Sequence, residues 1–244
     1  MITYTQDSIQ FGTTTINYDV IYSTKRKNAT LCVYPMKQVE ISVPSDIERE
    51  HIQRLVRKKA GWVLKQILWF DEIAQIDSQK EHVNGETFLY LGRQYRLKIV
   101  RSCEKAKAKL MGKYLYVTIP NAGNSKDKKI IKAAVWGWYR KQAGRKVTEA
   151  VCLYSRMLGI EPPKVIIKNQ YKRWGSCTSK NTLNFNFRIV IAPVSLINYV
   201  AAHELCHIKH KDHSPKFWKL LKTIMPDYEY RKERLRKEGR QYAL

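Results

Sequence analysis

In the first 43 residues, short runs of β-branched and aromatic side chains alternate with polar ones. Ile16 to Tyr22, Thr30 to Tyr34 and Val39 to Val43 are such runs, with the basic turn Lys25-Arg26-Lys27-Asn28 after the first. A period of two predicts strands of a small antiparallel sheet. Ser45-Asp46-Ile47-Glu48 then has the form of a capping box, predicting a long helix from Asp46 to about Ile73. Trp62, Ile67, Trp69 and Phe70 give that helix bulk, and Gly61 is a weak point inside it. From Glu86 the texture returns to strands. Thr87 to Leu91 and Gln94 to Val100 flank Gly92, and Ala108 to Leu110 and Tyr114 to Thr118 flank Met111-Gly112-Lys113, which predicts two hairpins. The breaker cluster Ile119 to Asn124 marks the expected boundary between a β-rich domain with one long helix, residues 1–122, and a second domain, residues 123–244. Nothing in the spacing points to an internal repeat or a low-complexity linker.

The second half opens with a helical pattern from about Lys126 to Leu158, closed by Gly159 as a C-cap. Ile130, Ala134, Trp138 and Val147 share its expected inner face. Pro162 and Pro163 break the chain before a short strand, Val165 to Lys168, and the polar stretch Asn169 to Asn181 is expected to be a loop. Leu183, Phe185, Phe187 and Ile189 alternate with Asn184, Asn186 and Arg188, the signature of a half-buried strand. Ser195 to Lys209 carries no Gly or Pro and has an apolar face at Ile197, Val200 and Ala201, which predicts a helix.

That helix contains His203-Glu204-x-x-His207. Residues four apart share a helix face about 6 Å apart along the axis, so two imidazoles can converge on one metal ion. Glu204, one residue on, falls beside such an ion, where its carboxylate can take a proton from water the metal activates. Catalytic zinc takes three protein ligands. His210 lies about 10 Å along the axis from His203, far for one ion. His213 follows a turn favoured by Asp212 and Ser214, with Pro215 opening a new helix, and is better placed; a distant acidic ligand is the remaining alternative.

Arg173-Trp174-Gly175-Ser176-Cys177, the segment Thr182 to Val190, the His203 to His207 motif and His213-Ser214-Pro215-Lys216-Phe217-Trp218 together resemble the YgjP-like metallopeptidases, a family related to the SprT-like zinc proteases. The order and spacing of these motifs make the resemblance specific, and it extends from about Tyr18 onward. It implies an α+β fold: a zincin-like catalytic domain preceded by an antiparallel β-rich portion with long helices. It also implies Zn2+ held by His203, His207 and His213, with Glu204 as general base. By the same resemblance the strand Leu183 to Arg188 is expected to bind an extended peptide at its edge, with Asn184 and Asn186 as substrate-binding candidates. Arg173 and Trp174 can line the cleft, or Trp174 can clasp the core. Tyr171, Arg173, Tyr228 and Tyr230 are candidates for stabilising an oxyanion, while Phe217 and Trp218 are expected to pack beneath the metal helix.

Composition adds a partner. With 45 basic and 21 acidic side chains the chain carries a formal +24, which attracts polyanions. Three functions fit: a zinc metallopeptidase acting on peptide or protein, a metal-dependent nucleotide phosphoanhydride hydrolase, or a nucleic-acid-associated protease acting on DNA-bound proteins. No Gly-rich phosphate loop accompanies the second. Five widely spaced cysteines without a C-x-x-C pair argue against a disulfide framework. With no apolar leader or membrane-length apolar run, a cytoplasmic protein without membrane contact is expected. The terminal stretch Tyr228 to Lys237 reads as a charged, solvated helix.

Overall fold

The computed structural model describes residues 2–24, 26–34, 38–121, 127–170 and 173–242. Lys25 of the expected basic turn, Ala122 to Asn124 of the breaker cluster, Lys126 and Tyr171 lie outside these residues. The contacts divide the chain into two units, Met1–Ser78 and Gln79–Leu244.

In the first unit, β1 (Ile2–Phe11) and β2 (Thr14–Ser23) form a hairpin turning at Gly12, followed by β3 (Thr30–Val33), β4 (Val39–Val43) and α1 (Arg49–Gln79). The sheet order is β1-β2-β4-β3, and its central pair, β2 and β4, is parallel rather than antiparallel as the short strands suggest. Alternate residues Ile16, Tyr18 and Val20 of β2 and Val39, Ile41 and Val43 of β4 point to one face, where Ile52, Val56, Ala60, Val63 and Phe70 of α1 cover them. The helix begins at Arg49, three residues after the expected start. Ser45 and Asp46 form a turn instead of a capping box, and Arg49 is drawn to Asp7 on β1 at 2.7 Å, a pairing that local sequence does not reveal.

The second unit opens with the same plan. β5 (Thr87–Tyr90), β6 (Arg93–Ser102), β7 (Lys107–Met111) and β8 (Tyr114–Pro120) form a sheet of order β5-β6-β8-β7, again with a parallel central pair, followed by α2 (Asp127–Leu158). From the fourth strand through the helix the two modules align at a spacing of 76 residues, which pairs Pro44 with Pro120, Gly61 with Gly137, Trp62 with Trp138, Lys65 with Lys141 and Gln66 with Gln142, while the first two strands, by their register, stand 79 residues apart. The expectation of no internal repeat is therefore corrected. Few identities survive between the copies, and strand pairing, which depends on pattern more than identity, carries the likeness.

The division at Ser78 lies well before the breaker cluster near Asn121. Phe88, Leu97, Leu115, Val117 and Ile119 share one core with α2 and with everything that follows, so the second sheet belongs to the second unit. The β5–β6 turn reinforces this join. Leu91 and Gly92 both have positive φ, and their N–H groups donate to the carbonyls of Val190 and Ile191 at 2.9 Å. A Cβ on Gly92 would stand 2.8 Å from Pro193 Cγ, so only glycine allows this approach.

The remainder builds the site. β9 (Val165–Lys168), β10 (Gly175–Cys177) and β11 (Leu183–Asn186) form a sheet of order β10-β11-β9, and a short 3-10 helix, Phe187–Ile191, leads into α3 (Val194–Lys209), α4 (Pro215–Ile224) and α5 (Tyr228–Glu238). Three expectations change here. The stretch Asn169 to Asn181 contains β10. β11 is central and has no free edge, because β10 and β9 flank it. Its polar residues are also buried, and the chain bends into the 3-10 helix at Phe187 instead of continuing as a strand. The alternation holds only within β11, and its polar side chains are hydrogen-bonded inside. Asn184 Nδ2 donates to Ser176 Oγ at 3.4 Å, Asn186 Nδ2 donates to the Gln170 carbonyl, and Asn186 Oδ1 caps the 3-10 helix by accepting from Arg188 N–H. Arg188 bonds Asn169 and lies over the rings of Phe187 and Trp136. Among the described residues no helix is long and apolar enough to cross a membrane.

Candidate metal centre

α3 places His203 and His207 one turn apart, their ring centroids 5.0 Å from each other. The helix ends at His210, whose backbone N–H donates to the Cys206 carbonyl while its own φ and ψ turn extended. Asp212 and Ser214 then form a turn, and Pro215 starts α4. This reversal brings His213 back, with Nε2 3.1 Å from Nε2 of His203. One ligand atom from each of His203, His207 and His213 lies within 4.8 Å of the others. Three donors on a tetrahedral zinc at about 2.0–2.1 Å stand about 3.4 Å apart, so this set fits a metal ion with small ring adjustments.

The chemistry of the rings agrees. His203 is held neutral, its pKa pushed down to about 3 by burial and the neighbouring imidazoles, and burial also lowers that of His207. Nδ1 of His207 faces the His210 carbonyl at 3.0 Å; donation there leaves Nε2 with its lone pair toward the cluster. His210 thus serves through its backbone. Phe217 is fully buried against all three imidazoles, at 5.0, 4.6 and 4.9 Å between centroids, and Trp218 stacks on His213 at 5.5 Å. Cys206, inside the motif, is buried, its thiol pushed up to about 12 by burial.

Glu204 is 6% exposed, and burial pushes its carboxyl up to about 7, against the charge of Arg173 and the backbone N–H of Cys177, which both pull it down. Gly175 explains the glycine of the R-W-G-S-C motif: a Cβ there would stand 2.7 Å from Glu204 Cγ and 2.8 Å from Oε1. β10 therefore runs directly over the carboxyl. Asn186 N–H donates to the Trp174 carbonyl and Thr178 N–H to that of Thr182, so Trp174, Ser176 and Thr178 direct their main chain to β11. By the alternation of an antiparallel ladder, Gly175 and Cys177 direct theirs outward, beside Glu204, to an edge with which no other strand pairs among the described residues.

Among the described residues a cleft of about 390 Å³ is lined by Arg173, Gly175, Ser176, Cys177, His203, Glu204, His207, Lys211 and His213. Trp174 instead packs on the core and lies against Gly239, its Nε1 3.5 Å from where a Cβ would stand. Asn184 and Asn186, buried in β11, do not line the cleft. Of the oxyanion candidates, Arg173 lines it; Tyr228 stacks on Trp218 and donates to Glu229, and Tyr230 is 67% exposed. Sequence reasoning missed Lys211, whose Nζ donates to Asn181 Oδ1 at 2.5 Å, and the part played by β10. Lys211 sits between His210 and Asp212 in a charged run with no periodic signal, whereas the R-W-G-S-C motif did point to β10.

An H-E-x-x-H helix, a third imidazole returned by a turn and a carboxyl beneath an edge strand define the class of metal-dependent hydrolases. Residues 27–238 match the model of the YgjP-like family, described as YgjP-like, metallopeptidase domain, and the chain belongs to that family, which implies a bound metal ion. Similar solved structures include the metallopeptidase zymogen of Pyrococcus abyssi abylysin, with TM-score 0.36 and 20% identity over 38% of this chain and 93% of that one. The metallopeptidase zymogen of Methanocaldococcus jannaschii jannalysin gives TM-score 0.35 and 24% identity over 38% and 95%. Among curated proteins none matches the chain.

Proposed function

We propose that the chain is a zinc-dependent peptidase in which His203, His207 and His213 hold the ion and Glu204 is the general base. One arrangement carries this reading: the converging imidazoles of His203, His207 and His213 beside a buried carboxyl with a pKa of about 7. Zinc, when bound, supplies a Lewis acid for water and the scissile carbonyl. Glu204 takes a proton from the attacking water and returns it to the leaving amine, and a carboxyl that exchanges protons near neutrality suits both steps. The Gly175 main chain and the Cys177 carbonyl offer an extended peptide an edge strand beside the cleft, replacing Leu183 to Arg188 in that role, while the Cys177 N–H is turned to Glu204. Arg173 is suited to stabilise negative charge on the carbonyl oxygen.

Arg173 and Lys211 also give the cleft two cations, the observation that favours a second reading, hydrolysis of a nucleotide phosphoanhydride. Metal analysis with assays on casein and on nucleoside triphosphates separates the two. Glu204→Gln is expected to keep metal and fold and to lose peptide hydrolysis by about 10² or more. His213→Ala is expected to lose metal as His203→Ala does, while His210→Ala keeps it. Stoichiometric zinc in His213→Ala, or an active Glu204→Gln enzyme, would overturn the assignment.

A further inference from the structure

The outward face of the β5–β8 sheet carries a pattern that the metal centre does not use. Leu97, Leu115 and Val117 point into the core, so by the period of two Arg96, Lys98, Tyr114 and Tyr116 share the opposite face. The register stands Arg96 beside Tyr114, Lys98 beside Tyr116, and Lys109 on the far side of Tyr116. Tyr114 is 42% exposed, Tyr116 is half-buried, and the two rings meet edge-on at 5.9 Å. Lys98 Nζ lies 5.6 and 5.5 Å from their centroids. Lys113 joins Arg96 and Tyr114 around a shallow cavity of about 400 Å³. Nearby carboxylates are already paired, Glu104 with Lys107 and Asp127 with Arg101.

The fold does not require this chemistry. By strand register, Asp19 of β2 and Glu40 of β4 occupy in the first unit the places of Lys98 and Tyr116. The charge follows the same division: residues 79–244 hold 35 of the 45 basic side chains and 12 of the 21 acidic ones. Two rings on alternate residues of one strand, about 6.6 Å apart along it, bordered by cations on both neighbouring strands, suit a chain that repeats flat bases and phosphates. Duplexes hide the faces of their bases, and acidic peptides offer few flat rings to stack.

We propose that this face binds single-stranded nucleic acid, with Tyr114 and Tyr116 stacking on bases and Arg96, Lys98, Lys109 and Lys113 neutralising phosphates. The site is independent of the peptidase reading. It would hold a nucleic acid on the same unit as the metal centre.

The test titrates the full chain into labelled single strands of about 12 nucleotides, within the usual site size of such faces. RNA, DNA and a duplex of the same sequence form separate arms, and the tighter single strand names the natural source. The single strands are expected to bind more tightly than the duplex. The log–log salt slope is expected near about −3, from about −0.7 for each of four phosphates. Tyr114→Ala with Tyr116→Ala should weaken binding about tenfold or more, and the two Phe substitutions should restore it, with circular dichroism and hydrolysis of a short peptide unchanged. Asp19→Ala with Glu40→Ala should leave affinity as it is. Absence of binding, equal affinity for the duplex, or wild-type affinity in the double alanine variant would overturn the proposal. Loss of peptidase activity in Glu204→Gln with nucleic-acid binding intact would leave both readings standing on their own tests.

Discussion

The chain contains one ββββα plan twice, and the copies serve different ends. In the first unit α1 covers a single sheet and leaves Trp62 41% exposed; in the second its counterpart Trp138 on α2 is 8% exposed, packed on Tyr90 and Tyr139. α2 differs because it is apolar on more than one side: it also meets α3, β9 and the 3-10 helix, so it joins the second sheet to the metal centre. The outward faces diverge as well, acidic and polar in one copy and basic and aromatic in the other. Topology and inner packing were kept while the outer face and the second side of the helix changed, which shows which parts of the plan the fold needs.

Substituting the paired tryptophans gives the largest contrast. Trp138→Ala should destabilise by about 3–5 kcal/mol, the usual cost of emptying a packed aromatic site, and Trp62→Ala by less than about 1 kcal/mol, as urea denaturation followed by circular dichroism would measure. Equal losses would mean that α1 is as enclosed as α2. A smaller difference lies in acid sensitivity. Asp7 of β1 accepts from Arg49, Gln53 and Tyr18, and the Arg49 guanidinium holds its carboxyl well below the usual carboxylate range. A carboxyl depressed by folding adds stability that is full above its unfolded value of about 3.9 and is lost as pH falls below it. Asp7→Asn should therefore cost about 1–2 kcal/mol at neutral pH and flatten the acid limb of the first unit's stability profile. The smallest effect is expected to be common to both copies. Gly61 and Gly137 sit mid-helix, and a Cβ on either would meet nothing within 4 Å. Alanine at either position should stabilise by about 0.5–1 kcal/mol, and opposite signs would show that the matched glycines are not equivalent.

Local pattern made most elements legible. Val165 to Lys168, α2 with Gly159 at its C-cap and α3 follow from periodicity and breakers, and the convergence of the His203, His207 and His213 imidazoles agrees with helical spacing and the turn at Asp212 to Pro215. The start of α1 was not legible in the same way, because Arg49 answers to Asp7 across 42 positions of sequence. Nor does composition show that Leu97 and Val117 share a core with α2, and so the division by contacts lies a whole sheet before the breaker cluster.

The amino-acid sequence by itself determined which side chains can be brought to one ion. Side-chain identity and helical spacing within one short segment decide which groups can share an ion, and those are local properties. The tertiary structure alone decided that β11 is enclosed and β10 carries the open edge, that Gly175 must be bare because Glu204 lies beneath it, and that Tyr114 and Tyr116 share a face with Lys98. Each depends on which strand lies next to which, and hydrogen-bonded pairing between distant segments, not the pattern within any one of them, sets that order.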